Sequence, residues 1–344
     1  MVKEQSGPEP GPKGFTRELP VPWQQVYGTK DGWLARLEAR LAQGFIELAA
    51  RLPERPFQLL VGALARVGKC IDRRHTRAAR SFLTTALGEL PKAELEARVL
   101  EAYRHFLRVI VEPRRFALRV PDDKIMEHYD VIQPEILRKE PGSPGCLVVS
   151  AHIGHWEGAL STMPWLGFSP CYAVVKPPKN RPLSILSQRE RESRGVNVLG
   201  RRGAMVDANT IIKAGGSVVM LLDQRARKRP LMAPFFGRPA RCDRSVGVLV
   251  KRLRVPVILC ACTLTDVPQR YRFEVYEHIL PEELKGWDAL AIVKRINAAY
   301  ERMIRDYPEQ YFWLHDRFKD TPLEFEPEPS GAAGASETTP EPNA

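Results

Sequence analysis

Several features common in other protein classes are missing from this sequence. Its six cysteines are scattered over 344 residues and none forms a Cys-x-x-Cys pair, which favours buried thiols in a reducing compartment. The amino-terminal residues are rich in Pro, Gly and Glu and lack the apolar stretch of a secretory signal. No uncharged apolar run approaches the length that crosses a bilayer. We therefore expect any encounter with a membrane to take place at its surface.

Nucleic-acid-binding signatures are missing too. The sequence contains no helix-turn-helix or zinc-finger pattern, and its aromatic residues are not interleaved with the basic runs. The net charge is nevertheless +11 with a pI near 9.5, which predicts an acidic partner. An anionic membrane, an acidic protein or an acidic substrate fits this charge better than a nucleic acid does.

The composition predicts a folded centre with less ordered ends. A hydrophobic content of 44% is ample for a core, in one large domain or two modest ones. We expect residues 1–22 to be a disordered leader and 323–344 a disordered acidic tail. Between them, we predict a helical, membrane-surface region over 23–116 and an α/β domain over 117–322.

The predicted amino-terminal helices are amphipathic. Apolar residues recur at 33, 34, 37, 41, 45 and 48, and a second stripe runs from Phe57 to Ile71. From Arg51 to Arg80 there are eight basic residues and two acidic ones. Apolar stripes flanked by arginine are typical of helices that lie on anionic lipid. Packing of these helices on the main domain is an equal alternative, and the two are compatible.

After residue 116 the pattern changes to an alternation of short β-rich and longer helical segments. Strands are predicted at Cys146–Ser150, Cys171–Val175, Val196–Leu199, Ser217–Asp223, Val255–Leu264 and Tyr271–Tyr276, and helices near 157–166, 181–193, 203–214, 243–254 and 283–307. This alternation predicts a mostly parallel sheet with helices on both faces.

The stretch from Val148 to Glu157 carries the clearest chemical signal. A short apolar run ends at His152, which places an imidazole at the carboxyl end of a strand, where open α/β sheets bind ligands. Glu157, five residues later, is predicted to fold back and hold that imidazole in one tautomer. No serine or cysteine is placed as a nucleophile. The pattern therefore predicts direct chemistry, with His152 as a general base and Glu157 stabilising the imidazolium.

Two other interpretations of this stretch are open. An isolated His-x-x-x-x-Glu also fits a buried histidine followed by a carboxylate that favours a helix amino terminus. Alternatively, His152, His155 and Glu157 are three possible metal ligands within six residues. Their spacing is not the helical His-Glu-x-x-His arrangement, however, and no further His or Cys cluster completes a site.

Four more stretches follow His152 in a set order. They are Arg194–Val198, Gly216–Gln224, Pro234–Ala240 and Tyr307–Lys319. Together with His152-Ile153-Gly154-His155-Trp156-Glu157 they resemble the bacterial lipid A biosynthesis acyltransferase family, the late acyltransferases that add secondary acyl chains. The resemblance covers roughly residues 30–320.

The resemblance implies a glycerol-3-phosphate acyltransferase-like α/β fold and an O-acyltransferase at the inner face of a bacterial cytoplasmic membrane. The donor would be an acyl carrier protein or coenzyme A thioester, and the acceptor a hydroxyl of a lipid A precursor or related membrane glycolipid, with no metal or bound cofactor. His152 and Glu157 match the family's catalytic pair, so His152→Ala and Glu157→Ala are both expected to abolish transfer. Acylation of another lipid, such as a lysophospholipid or aminolipid, and a catalytically silent basic adaptor are the alternatives.

Further residues of these motifs are predicted to bind substrate. Arg194, with Gly195 beside it, is a candidate for phosphate or donor contact, or else a surface arginine. Asp223 and Gln224 end a buried strand at the same edge as His152, so they face the crevice or cap the strand. Phe236 and Gly237 are predicted to form the wall and turn of an acyl groove.

Two features depart from the resemblance. The family usually has asparagine where this chain has His155, so a hydrogen bond behind the site is expected to differ. The family also commonly begins with a clear membrane-spanning helix, and no such run is predicted here, so the mode of membrane attachment is expected to differ.

Overall fold

A mostly parallel sheet is the centre of the molecule. The computed structural model describes residues 19–137 and 143–325. Seven strands form this sheet in the order β1-β9-β8-β2-β5-β3-β4, and every neighbouring pair is parallel except β8 and β9. The strands are β1 (Tyr129–Val131), β2 (Cys146–Ser150), β3 (Cys171–Val175), β4 (Val196–Gly200), β5 (Ser217–Leu221), β8 (Val257–Leu264) and β9 (Tyr271–Ile279). The predicted fold class is therefore confirmed.

A separate antiparallel hairpin was not predicted. It pairs β6 (Leu231–Phe235) with β7 (Arg238–Cys242) and sets Pro234 opposite Pro239. Proline donates no hydrogen bond and is confined to strand edges, so its presence in both segments argues against strands at the sequence level. The hairpin packs against helix α10 (Ala289–Asp306), where the Asn297 side chain donates to the Pro234 carbonyl oxygen at 2.7 Å.

Helices cover the sheet and form the amino-terminal region. They are α1 (Trp33–Arg51), α2 (Glu54–Ile71), α3 (Arg73–Leu87), α4 (Lys92–Arg119), α5 (Pro134–Leu137), α6 (Trp156–Thr162), α7 (Arg181–Glu192), α8 (Ala204–Lys213), α9 (Arg244–Leu253) and α10. Among the described residues, no helix combines the length and the apolar character needed to span a membrane.

The amino-terminal helices share one core with the sheet. Phe82 on α3 and Val99 on α4 belong to the same buried cluster as Leu147 and Val149 on β2. Val21 is also buried in this cluster, so packing begins before residue 23. The rest of the predicted leader, residues 1–18, and most of the predicted tail, residues 326–344, lie outside the described residues.

The strand register explains how the candidate site forms. Strands β2 and β5 are parallel neighbours, and Ser150 pairs with Leu221. His152 and Asp223 therefore each lie two residues beyond a paired position, at the carboxyl edge of adjacent strands. The register alone brings these two side chains together, although they are 71 residues apart in sequence.

Candidate active site

The loop that carries His152 is held from behind by two other segments. Gly154 has φ +58°, and a Cβ atom there would lie 2.0 Å from the carbonyl oxygen of Cys262, so only glycine fits. The Gly154 N–H donates to the Gln310 carbonyl oxygen at 2.8 Å, and the His155 N–H donates to the Cys262 carbonyl oxygen at 2.7 Å. The turn after β2 is thereby fixed before helix α6 begins.

His152 is held in one orientation by Asp223. Its Nδ1 lies 2.7 Å from Asp223 Oδ1, and its backbone N–H donates to Asp223 Oδ2 at 3.1 Å. Tyr311 adds a third contact, donating its hydroxyl to Oδ2 at 3.0 Å. Because a carboxylate only accepts, Nδ1 carries the proton and Nε2 is left as the basic atom. The Asp223 side chain is 1% exposed and that of His152 is 20% exposed, so the base alone reaches the surface.

Glu157 does not hold the imidazole, and this part of the prediction is wrong. Its carboxylate accepts two hydrogen bonds from Arg191, at 3.0 Å from Nε and 2.7 Å from Nη2. Glu157 lies in the first turn of α6 and its carboxylate reaches Arg191 on α7, whereas Asp223 follows the strand beside that of His152. Arg191 was missed because it lies in a run of alternating charges that resembles a solvated helix face.

His152 and Asp223 each stabilise the charged form of the other. Burial raises the pKa of Asp223, but its contacts with His152 and Tyr311 lower the pKa by more, so the carboxyl group stays ionised. Burial lowers the pKa of His152, but Asp223 and, more weakly, Glu157 raise it to above its ordinary value. A histidine tuned in this way can accept a proton and hold it until a leaving group takes it.

Polar and aromatic side chains lie next to the His152 ring. Gln224 places its Nε2 3.3 Å from His152 Nε2, so its amide donates to the basic atom. The rings of Trp156 and Phe312, both partly exposed, lie with their centroids 5.5 and 6.1 Å from the imidazole. The prediction that Asp223 and Gln224 face the crevice agrees with this geometry.

Tyr311 lies in the Tyr307–Lys319 stretch that carries the resemblance, but no role was predicted for it. Its hydroxyl group binds Asp223, which is distant in sequence.

Arg194 and Gly195 lie elsewhere. They precede β4, at the amino end of a strand, whereas His152 follows the carboxyl end of β2 in the same parallel sheet. The Arg194 guanidinium contacts Glu190 at 3.1 Å and lines a small cavity beside His155. The structure therefore does not bring these two residues to the His152–Asp223 pair.

Phe236 and Gly237 form the turn of the β6–β7 hairpin, with φ +49° and +75°. Phe236 is nearly buried, and its ring packs on Phe82 at 6.4 Å between centroids. Phe82 in turn packs on Tyr311 at 5.7 Å. Phe236 and Phe82 are therefore core behind Tyr311, and Gly237 is an exposed turn residue. In the described residues, Phe236 packs into the core and does not form the predicted wall of an acyl groove.

His155 is a buried neighbour of the site. Its ring stacks on Tyr271 with centroids 4.7 Å apart, and burial lowers its pKa to about 3. Neither ring nitrogen has a hydrogen-bond partner within residues 19–137 and 143–325. With His155 on Tyr271 and Glu157 on Arg191, the three residues considered as metal ligands do not converge, and the described part of the chain contains no cluster of three such ligands.

The fold and the site define an α/β protein with a histidine–aspartate pair at the carboxyl edge of its parallel strands. The chain belongs to the bacterial lipid A biosynthesis acyltransferase family, whose model matches residues 34–320. The resemblance inferred from the motifs is therefore confirmed, and the protein is an acyltransferase of the lipid A biosynthesis type.

Two relatives show the extent of the similarity. The chain is 26% identical over 269 residues to the lipid A biosynthesis palmitoleoyltransferase of Escherichia coli (strain K12), covering 76% of this chain and 84% of that protein. The same values hold for the lipid A biosynthesis acyltransferase of Shigella flexneri.

Proposed function

We propose that this enzyme transfers a fatty acyl chain from a thioester to a hydroxyl of a lipid A precursor or related glycolipid, with His152 as the general base. The observation that carries the proposal is the position of His152. Its Nδ1 is fixed by an ionised, buried Asp223, and its partly exposed ring lies beside the aromatic rings of Trp156 and Phe312. The name of the family supplies the reaction class.

The proposed step uses only side chains and substrates. His152 Nε2 takes the proton of the acceptor hydroxyl while its oxygen bonds to the thioester carbonyl carbon. The tetrahedral intermediate then expels the thiolate, which takes the proton back from Nε2, giving an ester and a free thiol. Asp223 stabilises the imidazolium between these two events. The donor, an acyl carrier protein or coenzyme A thioester, is a co-substrate.

Gln224 and the aromatic rings have distinct proposed tasks. The Gln224 amide holds Nε2 in place until the acceptor hydroxyl takes over this hydrogen-bonding position. Trp156 and Phe312 offer partly exposed apolar surface beside the base, where a fatty chain loses contact with water. Holding the donor and acceptor together in this crevice supplies much of the rate.

A direct assay tests the proposal. Purified protein is mixed with an acyl carrier thioester and a lipid A precursor, and the acceptor is analysed by mass spectrometry. We expect one acyl mass to be added per acceptor.

Glycolipid from cells with and without the gene is compared in the same way, by mass spectrometry. Fully acylated lipid A in the deletion strain would contradict the proposed acceptor.

Glu157 has a supporting role in this scheme. Its charge raises the pKa of His152, while Arg191 fixes its position. We expect Glu157→Gln to reduce kcat about tenfold and to lower the kinetic pKa of the base, since one pKa unit corresponds to about 1.4 kcal/mol. Steady-state rates across pH measure both effects.

Arg191→Gln is the matched control, because it breaks the same ion pair but keeps the carboxylate. We expect its kinetic pKa not to fall below that of the wild type. An equal fall in both variants would show that the pair acts only by packing. Complete loss of activity in Glu157→Gln alone would instead restore Glu157 to the central role first predicted.

Helix α1 supports a peripheral attachment to the cytoplasmic face of the inner membrane. It packs inward through alanines, including Ala35 and Ala39, and points its large apolar residues outward. Trp33, Leu41 and Leu48 are 72%, 66% and 66% exposed. An exposed apolar stripe of this length is typical of a helix that lies in a lipid interface.

The start of α1 is anchored to the side of the sheet that carries the active site. The chain just before α1 is joined to the segment after β3 by a hydrogen bond from the Lys30 N–H to the Lys179 carbonyl oxygen, at 2.8 Å. That segment leaves the carboxyl edge of the sheet, where His152 also lies. A membrane on this side would present its lipid close to the base.

We expect Leu41→Ser with Leu48→Ser to weaken binding to anionic vesicles about tenfold or more, because two apolar side chains no longer leave water. Vesicle sedimentation measures the effect. Val206→Ser with Val267→Ser is the matched control, since both valines are also exposed but lie outside α1. Added salt should weaken binding further by screening the basic residues. Equal binding of both double variants would contradict attachment through α1.

A further inference from the structure

A second concentration of charge lies next to the active site. A cavity of about 420 Å³ is lined by Arg74, Arg225, Arg227, Arg241, Lys319 and Asp320, and we refer to it as the basic pocket. Its cations come from separate parts of the chain, namely the start of α3, the segment after β5, strand β7 and the carboxyl-terminal segment. Their convergence distinguishes the pocket from a charged helix face.

Most of this charge is not neutralised within the pocket. Asp320 is the single carboxylate among the lining residues and pairs with Arg225 at 2.7 Å. The Arg241 guanidinium is held by the carbonyl oxygens of Ala226 and Arg227, at 3.3 and 3.4 Å, which fix it without cancelling its charge. Five cations and one anion leave an excess that a dianionic group matches better than a single carboxylate does.

The pocket begins two residues after the carboxylate that holds His152. Arg225 is two residues beyond Asp223, so their Cα atoms are within about 7 Å of each other. The Arg225 backbone N–H donates to His315 Nε2 at 2.9 Å. This hydrogen bond fixes the backbone where the segment after β5 begins to line the pocket. Burial lowers the pKa of His315 to about 4, so the ring stays neutral and can accept that bond.

Exposed apolar residues precede one wall of the pocket in the chain. Arg74 follows the end of α2 by three residues, and Val67 and Ile71, one turn apart at that end, are both exposed. A cationic pocket with exposed apolar residues nearby suits an anionic lipid headgroup better than a soluble anion. It also suits a lipid better than an acidic protein, which would require a broad polar surface.

From this arrangement we propose that the basic pocket binds a phosphate group on the lipid acceptor and thereby places the acceptor hydroxyl at His152. The proposal rests on the proposed acyl transfer and adds a recognition site to it. Arg74 and Arg227 are exposed and would meet the phosphate directly, whereas Arg225 and Arg241 are held by the protein.

The test compares two double variants that remove equal charge. Arg74→Gln with Arg227→Gln alters the pocket, and Arg73→Gln with Lys228→Gln alters exposed neighbours outside it. KM is measured for a phosphorylated glycolipid acceptor, for the same lipid after phosphatase treatment, and for the acyl carrier thioester. We expect the pocket variant to raise KM about tenfold for the phosphorylated acceptor alone, and the neighbour variant to leave all three values unchanged.

Several outcomes would overturn the proposal. An equal rise in KM for both acceptors would show that phosphate is not recognised. A rise for the carrier thioester instead would assign the pocket to the carrier protein. Inorganic phosphate is added as a competitor, and binding as tight as that of the phosphorylated lipid would assign the pocket to a free anion.

A binding measurement separates this proposal from the proposed function. Both double variants are also made in a His152→Ala chain, and its affinity for the two acceptors is measured in detergent micelles. A preference for the phosphorylated lipid that only the pocket variant loses supports the pocket even if no acyl transfer is found. Transfer by the wild type without any such preference would overturn the pocket and leave the transfer reaction intact.

Discussion

His152→Ala is expected to reduce kcat about 10³-fold, because His152 is the group that takes the acceptor proton in the proposed step. The imidazole is the one part of the buried His152–Asp223–Tyr311 arrangement that reaches the surface. Substrate binding should change little, since alanine leaves Trp156 and Phe312 in place. Single-turnover rates with the acyl carrier thioester and the glycolipid acceptor measure the loss, and KM measures binding.

His278→Ala is the control for this variant. His278 is a partly exposed histidine on β9, away from the carboxyl edge of β2, and its removal should leave turnover unchanged. Thermal melting of both variants checks that the fold is kept. Turnover of His152→Ala near that of the wild type would remove His152 from the mechanism and with it the proposed reaction.

Asp223→Asn is expected to reduce kcat by about 10⁴-fold, the loss found when asparagine replaces the carboxylate that orients a catalytic histidine. An asparagine amide can donate to Nδ1, which would put the ring proton on Nε2 and block the base. The variant also removes the charge that stabilises the imidazolium. Rates across pH measure both the loss and its cause.

Asp223→Asn is also expected to shift the pH dependence of the rate in one direction. His152 acts only when unprotonated, so kcat/KM rises as the pH increases through its pKa. Burial lowers that pKa and Asp223 raises it by more, to a net value above the ordinary one of about 6.5. Removing the carboxylate leaves the effect of burial, so in Asp223→Asn the rise in rate should move to lower pH.

Tyr311→Phe is the control that distinguishes charge from packing. It removes the hydroxyl that donates to Asp223 Oδ2 at 3.0 Å but keeps the ring against Phe82. We expect a rate loss of about tenfold, the lower end of the range for one hydrogen bond to a charged group, and only a small pH shift. A loss as large as that of Asp223→Asn with no pH shift in either variant would show that Asp223 only fills space.

Much of the fold could be predicted from the sequence, because buried parallel strands are short apolar runs. The predicted Cys146–Ser150 and Cys171–Val175 have the observed bounds of β2 and β3. By contrast, β1 has three residues and the β6–β7 hairpin contains prolines, so neither has a strand pattern. These elements depend on tertiary neighbours that a local pattern does not contain.

The candidate site was predicted in its residues but not in its pairing. His152, Asp223 and Gln224 were all placed at one sheet edge, and the structure brings them together. Glu157 was chosen as the partner because it is close in sequence. The actual partner depends on β2 and β5 being neighbours, and the order of strands in a sheet cannot be obtained from short sequence spacings.

The turn behind His152 is completed by residues that are made late. The Gln310 carbonyl oxygen accepts from Gly154, the Phe312 N–H donates to the His152 carbonyl oxygen, and the Tyr311 hydroxyl donates to Asp223. During translation, the strands that carry the base and its carboxylate leave the ribosome well before these three residues do. A nascent chain that extends beyond Gln224 but has not reached Gln310 therefore contains His152 and Asp223 without the contacts that fix them. We expect such a chain to be inactive until synthesis is nearly complete.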